Sequence, residues 1–338
     1  MKMKKITFIT AILCLVITTA TAQTENKRLF QLSFVSPLGT NGMQSYSTTN
    51  AVSINILGGH SYGNTAFEFG SIYNVNTHFT RGFQFAGIAN YSGDAQHAGQ
   101  FAGVVNIASK GTSPFQFSGI VNVANEMTGL QFAGISNVAG EMSGVQFAGI
   151  VNVAKRVKGV QFGLINYAEE SDGVSIGLVN IVKKGGKREL EVAFSEALNT
   201  SVSFKLGTDK FYTIFSGGVN YLGKTVDYAA GLGFGTHIDW KKGWGNQIEI
   251  LGYSLTENGS FDTGDINMLT QLKFTVSKEI AKHFKVFAGP VLNMTISKYT
   301  DPETGVLGSS LSPWSMWKNN SGTTSLNSWL GFSAGVRF

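Results

Sequence analysis

Among the residues whose types could do chemistry, the histidines come first. His60, His78, His97, His237 and His283 form no HExxH pattern and no close pair, and the one cysteine, Cys14, lies in an apolar N-terminal stretch. No metal-ligand set can be assembled from that spacing. His237 and Asp239 stand two residues apart in an alternating stretch, which puts both on one strand face, where a carboxylate could orient an imidazole as a general base. No serine at a nucleophile turn accompanies them, since the GxSxG spellings at 173–177 and 331–335 lie inside strand patterns with no helix after them. The run Gly231-Leu-Gly-Phe-Gly235 has the look of a phosphate loop, but no helical pattern follows it, and its glycines read better as easing the curvature of a sheet. The expectation is therefore a protein that is not an enzyme and carries no cofactor and no metal, with His237 and Asp239 as a polar pair lining a wet interior.

The recurring polar residues are amides. One phrase is rewritten from Phe67 to Val182, clearest as LQFAGISNVA (Leu130 to Ala139) and VQFAGIVNVA (Val145 to Ala154). Its Asn residues, Asn74, Asn90, Asn106, Asn122, Asn137, Asn152, Asn166 and Asn180, follow one another at steps of 16, 16, 16, 15, 15, 14 and 14. A Gly stands three residues before each of them except the first, where Ser71 takes its place. Such self-similarity at near-constant spacing is the mark of a stacked or barrel-forming repeat. Taken two at a time, Val145, Phe147, Gly149, Val151 and Val153 share one face, and Gln146, Ala148, Ile150, Asn152 and Ala154 the other. That alternation is a strand pattern, and Gly, Asn and β-branched residues at this density disfavour a helix. On this parity Gln131, Asn137, Gln146, Asn152, Gln161 and Asn166 are lumen-lining candidates, bonding across neighbouring strands or bordering a water path.

The elements that would position these residues are about ten residues of strand followed by about five of turn, as in GEMSG, KRVKG and EESDG. Alternation continues through Val226 to Asp239, Ile266 to Lys278, Phe284 to Ile296 and Ser328 to Phe338. The N-terminus reads as a signal peptide over residues 1–22: Lys2, Lys4 and Lys5, an apolar run from Ile6 to Ile17, and Ala20-Thr21-Ala22 before Gln23. Without the leader lysines, 23 basic residues face 21 acidic ones, a balance that favours no nucleic-acid partner. No later stretch approaches the length of a spanning helix, which leaves a closed barrel as the way for this chain to cross a bilayer.

The pattern predicts an all-β chain: a single domain over 23–338 forming an antiparallel transmembrane β-barrel of about 16–18 strands, with repeat strands at 67–182 and longer-loop strands at 188–338. Eighteen strands put the long connections 38–48, 257–264 and 299–325 all on the outer side. They also put Lys155, Arg156, Lys158, Lys183 and Lys184 on the inner rim and Glu141, Glu169, Glu170 and Asp172 on the outer. The alternative is a β-solenoid of 14 to 16 residue coils with the Asn residues stacked, plus a C-terminal β-barrel or sandwich. In it the basic and acidic turns become neighbours. Its weakness is that the repeats offer no water-facing side.

The repeated GxQFAGIxNVA through 67–182, the segment FQLSFVSPLGTNG from Phe30 to Gly42 and KFYTIF from Lys210 to Phe215 resemble the surface-repeat outer-membrane proteins of Gram-negative bacteria, a family largely without assigned activity. The resemblance implies a location, the outer membrane, with its lipid and its assembly machinery as partners. The terminal Phe338 of GFSAGVRF is similar to the assembly signal of such barrels. The expected function is a passive pore or a structural surface component of the cell envelope. The alternative is adhesion to an extracellular ligand through loops 38–48 and 299–325, the latter carrying Trp314 and Trp317.

Overall fold

A computed structural model describes residues 25–223, 226–257, 266–301 and 305–338; the leader read at 1–22 lies outside them. The described chain is all-β and forms two sheets, one of seventeen strands and one of nine.

The first sheet is a β-solenoid of about eight turns. Apart from the two-residue strand Leu38–Gly39, which pairs antiparallel with Asn26–Val35, its strands pair in parallel and in register, Asn122 opposite Asn137, Asn137 opposite Asn152, and Asn152 opposite Asn166. The Gln column stacks the same way, Gln131 on Gln146 on Gln161. This overturns the single antiparallel barrel for residues 67–182. Each copy of the phrase is not one strand across a wall but most of one coil. In the coil that starts at Val145, a strand Val145–Ala148 bends at Gly149-Ile150 and continues as Val151–Val157 before the next turn. Identical residues stack because successive coils differ by one repeat; the step from 16 to 15 residues is taken up in the turn, and that from 15 to 14 at the glycine corner, where Gln146-Phe-Ala-Gly-Ile-Val-Asn152 becomes Gln161-Phe-Gly-Leu-Ile-Asn166.

The glycine three residues before each Asn is explained by the bend. A Cβ on Gly134 would lie well under 3.0 Å from the carbonyl oxygen of Gly119, and one on Gly149 would meet Gly134 in the same way. The coils can stack at the spacing of a sheet only if this corner has no side chain.

Polarity runs opposite to that of a soluble solenoid. Gln146, Ala148, Asn152, Ala154 and Val157 are buried, while Phe147 and Ile150 are 44% and 45% exposed. The alternation read from sequence is correct residue by residue, but the amide face is a packed interior and not a lumen. At the N-terminal end Asn26–Val35 runs parallel to Thr48–Gly70, and the segment between them folds over the end of the stack. Asn41 Nδ2 donates to Gln31 Oε1 at 2.8 Å and Asn50 Oδ1 at 2.9 Å, and a 3-10 turn follows at Gly42–Ser47. Segment 38–48 is thus a solenoid cap and not an outer loop.

The second sheet is antiparallel. It runs through Lys187–Ser195, Thr200–Gly207, Tyr212–Asn220, Asp227–Asp239, Trp244–Thr256, Asn267–Ala281, Phe284–Ser297 and Thr324–Arg337, with a short hairpin strand at Trp317–Ser321. The pairing is cyclic, because Thr324–Arg337 also bonds Lys187–Ser195. Phe338 completes that seam: its N–H donates to Leu190 O at 2.9 Å and its carbonyl accepts from Leu190 N at 3.1 Å. These hairpins lie close to where alternation placed them.

The corner glycines generate a direct test. Gly134→Val should cost about 1–3 kcal/mol by forcing side-chain volume into a closed stack and should lower the thermal midpoint followed by circular dichroism. Lys155→Gln, at an exposed strand position, should leave it within ~0.5 kcal/mol.

Candidate functional site

Two buried polar systems hold the residues singled out above. The first runs through the solenoid. Asn55 Nδ2 donates to Asn74 Oδ1 at 2.9 Å, and each Asn then donates to the next: Asn74 to Asn90 at 3.0 Å, Asn90 to Asn106 at 3.0 Å, Asn106 to Asn122 at 2.9 Å. The chain continues from Asn122 to Asn137 at 3.0 Å, Asn137 to Asn152 at 3.1 Å, Asn152 to Asn166 at 2.9 Å and Asn166 to Asn180 at 2.9 Å. The second Nδ2 proton reaches a backbone carbonyl, as Asn137 does to Phe147 O at 2.8 Å and Asn152 to Phe162 O at 2.6 Å. Both donors of each amide are thereby used.

The Gln column points the other way. Gln161 Nε2 donates to Gln146 Oε1 at 2.8 Å, Gln146 to Gln131 at 2.7 Å and Gln131 to Gln116 at 2.8 Å. Gln116 donates to Gln100 at 2.7 Å, Gln100 to Gln84 at 2.9 Å and Gln84 to Glu68 Oε2 at 3.0 Å. A row of donors pointing one way must end on an acceptor, and the Glu68 carboxyl fills that place. It also receives Asn76 Nδ2 at 2.7 Å and Asn55 Nδ2 at 3.3 Å. The Asn row ends on the second sheet, where Asn180 Nδ2 donates to Thr213 Oγ1 at 3.0 Å and Thr213 Oγ1 donates to Gly177 O at 2.8 Å.

The second system fills the ring of antiparallel strands. Lys205 Nζ lies 2.5 Å from Glu191 and 2.5 Å from Glu249, and 3.6 Å from Glu189. Arg337 Nε is 2.7 Å from Glu191 Oε2, and Lys273 Nζ is 3.9 Å from Glu191 Oε1. Tyr212 Oη donates to Glu249 Oε1 at 2.8 Å. Glu189, Glu191 and Glu249 thus balance Lys205, Lys273 and Arg337, all of them buried. Sequence reading missed this cluster, although the signal was there: charges at inward positions of alternating strands, with Glu189 and Glu191 two apart.

His237 and Asp239 do meet, at the end of the ring near the short turns. His237 Nδ1 accepts from Lys187 Nζ at 3.3 Å and Gln247 Nε2 at 3.2 Å. Its Nε2 is 2.9 Å from Asp239 Oδ1 but outside hydrogen-bond geometry. The nitrogen that a general base would use is occupied by two donors, and the pair reads as structural. Among the described residues, no group of three or more His, Cys, Asp or Glu side chains could hold a metal.

The rim assignments need correction. Arg156 lies 3.2 Å from Glu170 and 3.9 Å from Glu141, Lys158 lies 3.6 Å from Glu141, and Lys184 lies 2.7 Å from Glu170. The charges placed on opposite rims share one edge of the solenoid because parallel coils bring every turn to the same side. Hydrogen bonds from Lys184 and then Arg156 hold the Glu170 carboxyl below the usual carboxylate range. The same hydrogen bond with Glu170 holds the Lys184 ammonium above its own.

Trp314 and Trp317 are exposed, on the connection between Phe284–Ser297 and Thr324–Arg337. That connection also turns inward. Leu311 is buried with Leu198, Leu255 and Trp329, and Ser310 N and Oγ donate to Glu257 Oε2 at 3.0 and 2.9 Å.

In comparison with known proteins, no family model, no curated protein and no solved structure matches the chain.

Two substitutions separate the systems. Asn137→Leu strands the carbonyl of Phe147, Oδ1 of Asn152 and one donor of Asn122, and should cost about 1–3 kcal/mol for each group left unpaired. Lys205→Met leaves Glu191 and Glu249 short of their main partner and should cost about 3–5 kcal/mol. Chemical denaturation of the folded protein reads both.

Proposed function

We propose that the chain is an outer-membrane protein in which the cyclic antiparallel sheet is a closed eight-stranded transmembrane barrel, and that its role in the cell envelope is structural and not that of a pore. The observation that carries this reading is the polarity of the ring. Leu190, Phe204, Phe234, Ile250, Phe274 and Leu292 face outward and are exposed, while the ion pairs of Lys205 and Arg337 are enclosed. A contiguous apolar exterior of this size has no place in water, and a ring without free edges is what a bilayer requires of strands.

Dimensions agree. Five of the ring's strands have 13 to 15 residues, which at ~3.3 Å per residue and a tilt of ~40° span about 33 Å or more, against ~30 Å of hydrocarbon. The connections 207–212, 239–244 and 281–284 lie at one end and are all short; at the other end 195–200 is short too, and 220–227, 256–267 and 297–317 are longer. This asymmetry matches short periplasmic turns and longer outer loops. The resemblance to surface-repeat outer-membrane proteins and the seam-closing Phe338 favour the same location and an encounter with the assembly machinery. Among the described residues no helix is long and apolar enough to cross a membrane, which does not bear on strands.

A structural role is favoured over passage because eight strands enclose just enough room for side chains. The ion cluster takes that room, and Leu311 seats from the long-loop end. Exposed Trp314, Met316 and Trp317 at that end support surface contact as a second reading.

Electrophoresis in detergent without heating should give a faster-migrating species that converts to the full-length position on boiling; identical migration would remove the barrel. In planar bilayers the folded protein should be silent. Reproducible channel openings would return the pore to first place.

A further inference from the structure

The solenoid presents a second surface that the barrel reading leaves unused. In the coil from Val145 to Gly159 the outward residues are Val145 and Phe147 on one face, Ile150 at the corner, and Val151 and Val153 on the other face. Charges appear only beyond them, at Lys155, Arg156 and Lys158. Stacking repeats the arrangement. Phe69, Phe85, Phe101, Phe117, Phe132 and Phe147 form an exterior column with ring centroids 4.8 to 6.3 Å apart. A groove of about 810 Å³ runs beside it.

The charged edge is level with one end of the ring. Lys210, in the short turn 207–212, donates to Asp172 O on that edge, and Arg188 Nη2 donates to Val182 O at 3.3 Å. The apolar corner reaches the ring wall farther along, where Thr213 bonds Gly177 O. From Ile150 to Ala154, the last residue before the charges, the strand rises four steps, ~13 Å at ~3.3 Å per residue. Half of a hydrocarbon core is about 15 Å.

From these three observations we propose that the solenoid is an arm sunk into a single leaflet, the one on the side of the short turns, with phospholipid acyl chains against its two apolar faces. Its Gly-Ile corner lies near the bilayer midplane and its mixed-charge edge among the headgroups. The occupant is lipid and not a second copy because apolar residues cover both faces and the corner alike, continuous with the ring's exterior, and stop at one level. A protein partner would need only one face. This inference rests on the membrane reading above, and its test tells the two apart.

Single-cysteine variants Phe147→Cys, Ile150→Cys and Lys158→Cys, with Phe234→Cys as a ring-exterior control, are made in a Cys14→Ser chain. They are checked for heat-modifiable migration, labelled with a bimane fluorophore and reconstituted in phosphatidylethanolamine/phosphatidylglycerol vesicles. Doxyl lipids labelled near the headgroup or near the chain end, and aqueous iodide, serve as quenchers. Labels at 147, 150 and 234 should lose fluorescence to lipid and not to iodide, with 150 most sensitive to the chain-end label, and 158 should respond to iodide. Iodide quenching at 147 and 150 with lipid quenching at 234 overturns this inference and leaves the barrel standing. Iodide quenching at all four sites overturns both. Protection of 147 from both quenchers, relieved as protein is diluted into excess lipid, assigns the face to a second copy and also overturns the proposal.

Discussion

An amide buried away from water must find every hydrogen-bond partner inside the protein, and the solenoid is arranged around that requirement. With Asn and Gln on the inner face of each coil, the cheapest way to satisfy them is to place an identical amide directly above and below. This demands parallel strands in register, which demands a nearly constant repeat, which demands a glycine corner where one coil crosses the next. The Phe, Ile and Val residues are left outside because the amides occupy the inside.

The two amide rows run in opposite senses, so their dipoles oppose one another along the axis. Each row needs a terminator. Glu68 ends the Gln row by accepting from Gln84, Asn76 and Asn55, a place a second amide could not fill without setting donor against donor. Thr213 ends the Asn row by accepting from Asn180 and donating its own hydroxyl to Gly177 O. Because Thr213 belongs to the antiparallel sheet, the last hydrogen bond of the solenoid is also a bond between the two parts of the chain.

The ring follows the same rule with charge in place of amides. Three carboxylates and the cations Lys205, Lys273 and Arg337 share an enclosed interior, with Lys187 3.2 Å from Glu189; Lys205 and Arg337 each reach more than one carboxylate, and Lys273 has Glu191 at 3.9 Å. Burial of this kind contributes little net stability and is severe when one member is lost. The cluster therefore specifies which strands face one another more than it strengthens the fold. Leu198, Leu255, Leu311 and Trp329 close the other end of the interior with apolar packing.

Alternation of side chains was legible from the residues alone. Gln146 and Asn152 on one face, Phe147 on the other, His237 beside Asp239, and the long hairpins after Lys187 all follow from a period of two, a local property of any strand. The sequence also held the reason for stacking, since an Asn at the same place in every copy is needed when like lies on like and is idle in an antiparallel hairpin. What a period of two does not contain is the partner of each strand. Parallel coils and antiparallel hairpins present the same alternating faces, and the choice depends on contacts between residues 14 to 16 positions apart. Tertiary structure made that choice. It turned a supposed lumen into a buried amide core, brought Arg156 beside Glu141 and Glu170, and gathered Glu191, Lys205, Glu249 and Arg337, residues far apart in the chain, into one cluster, because only the closed three-dimensional arrangement puts buried charges of opposite sign within reach of one another.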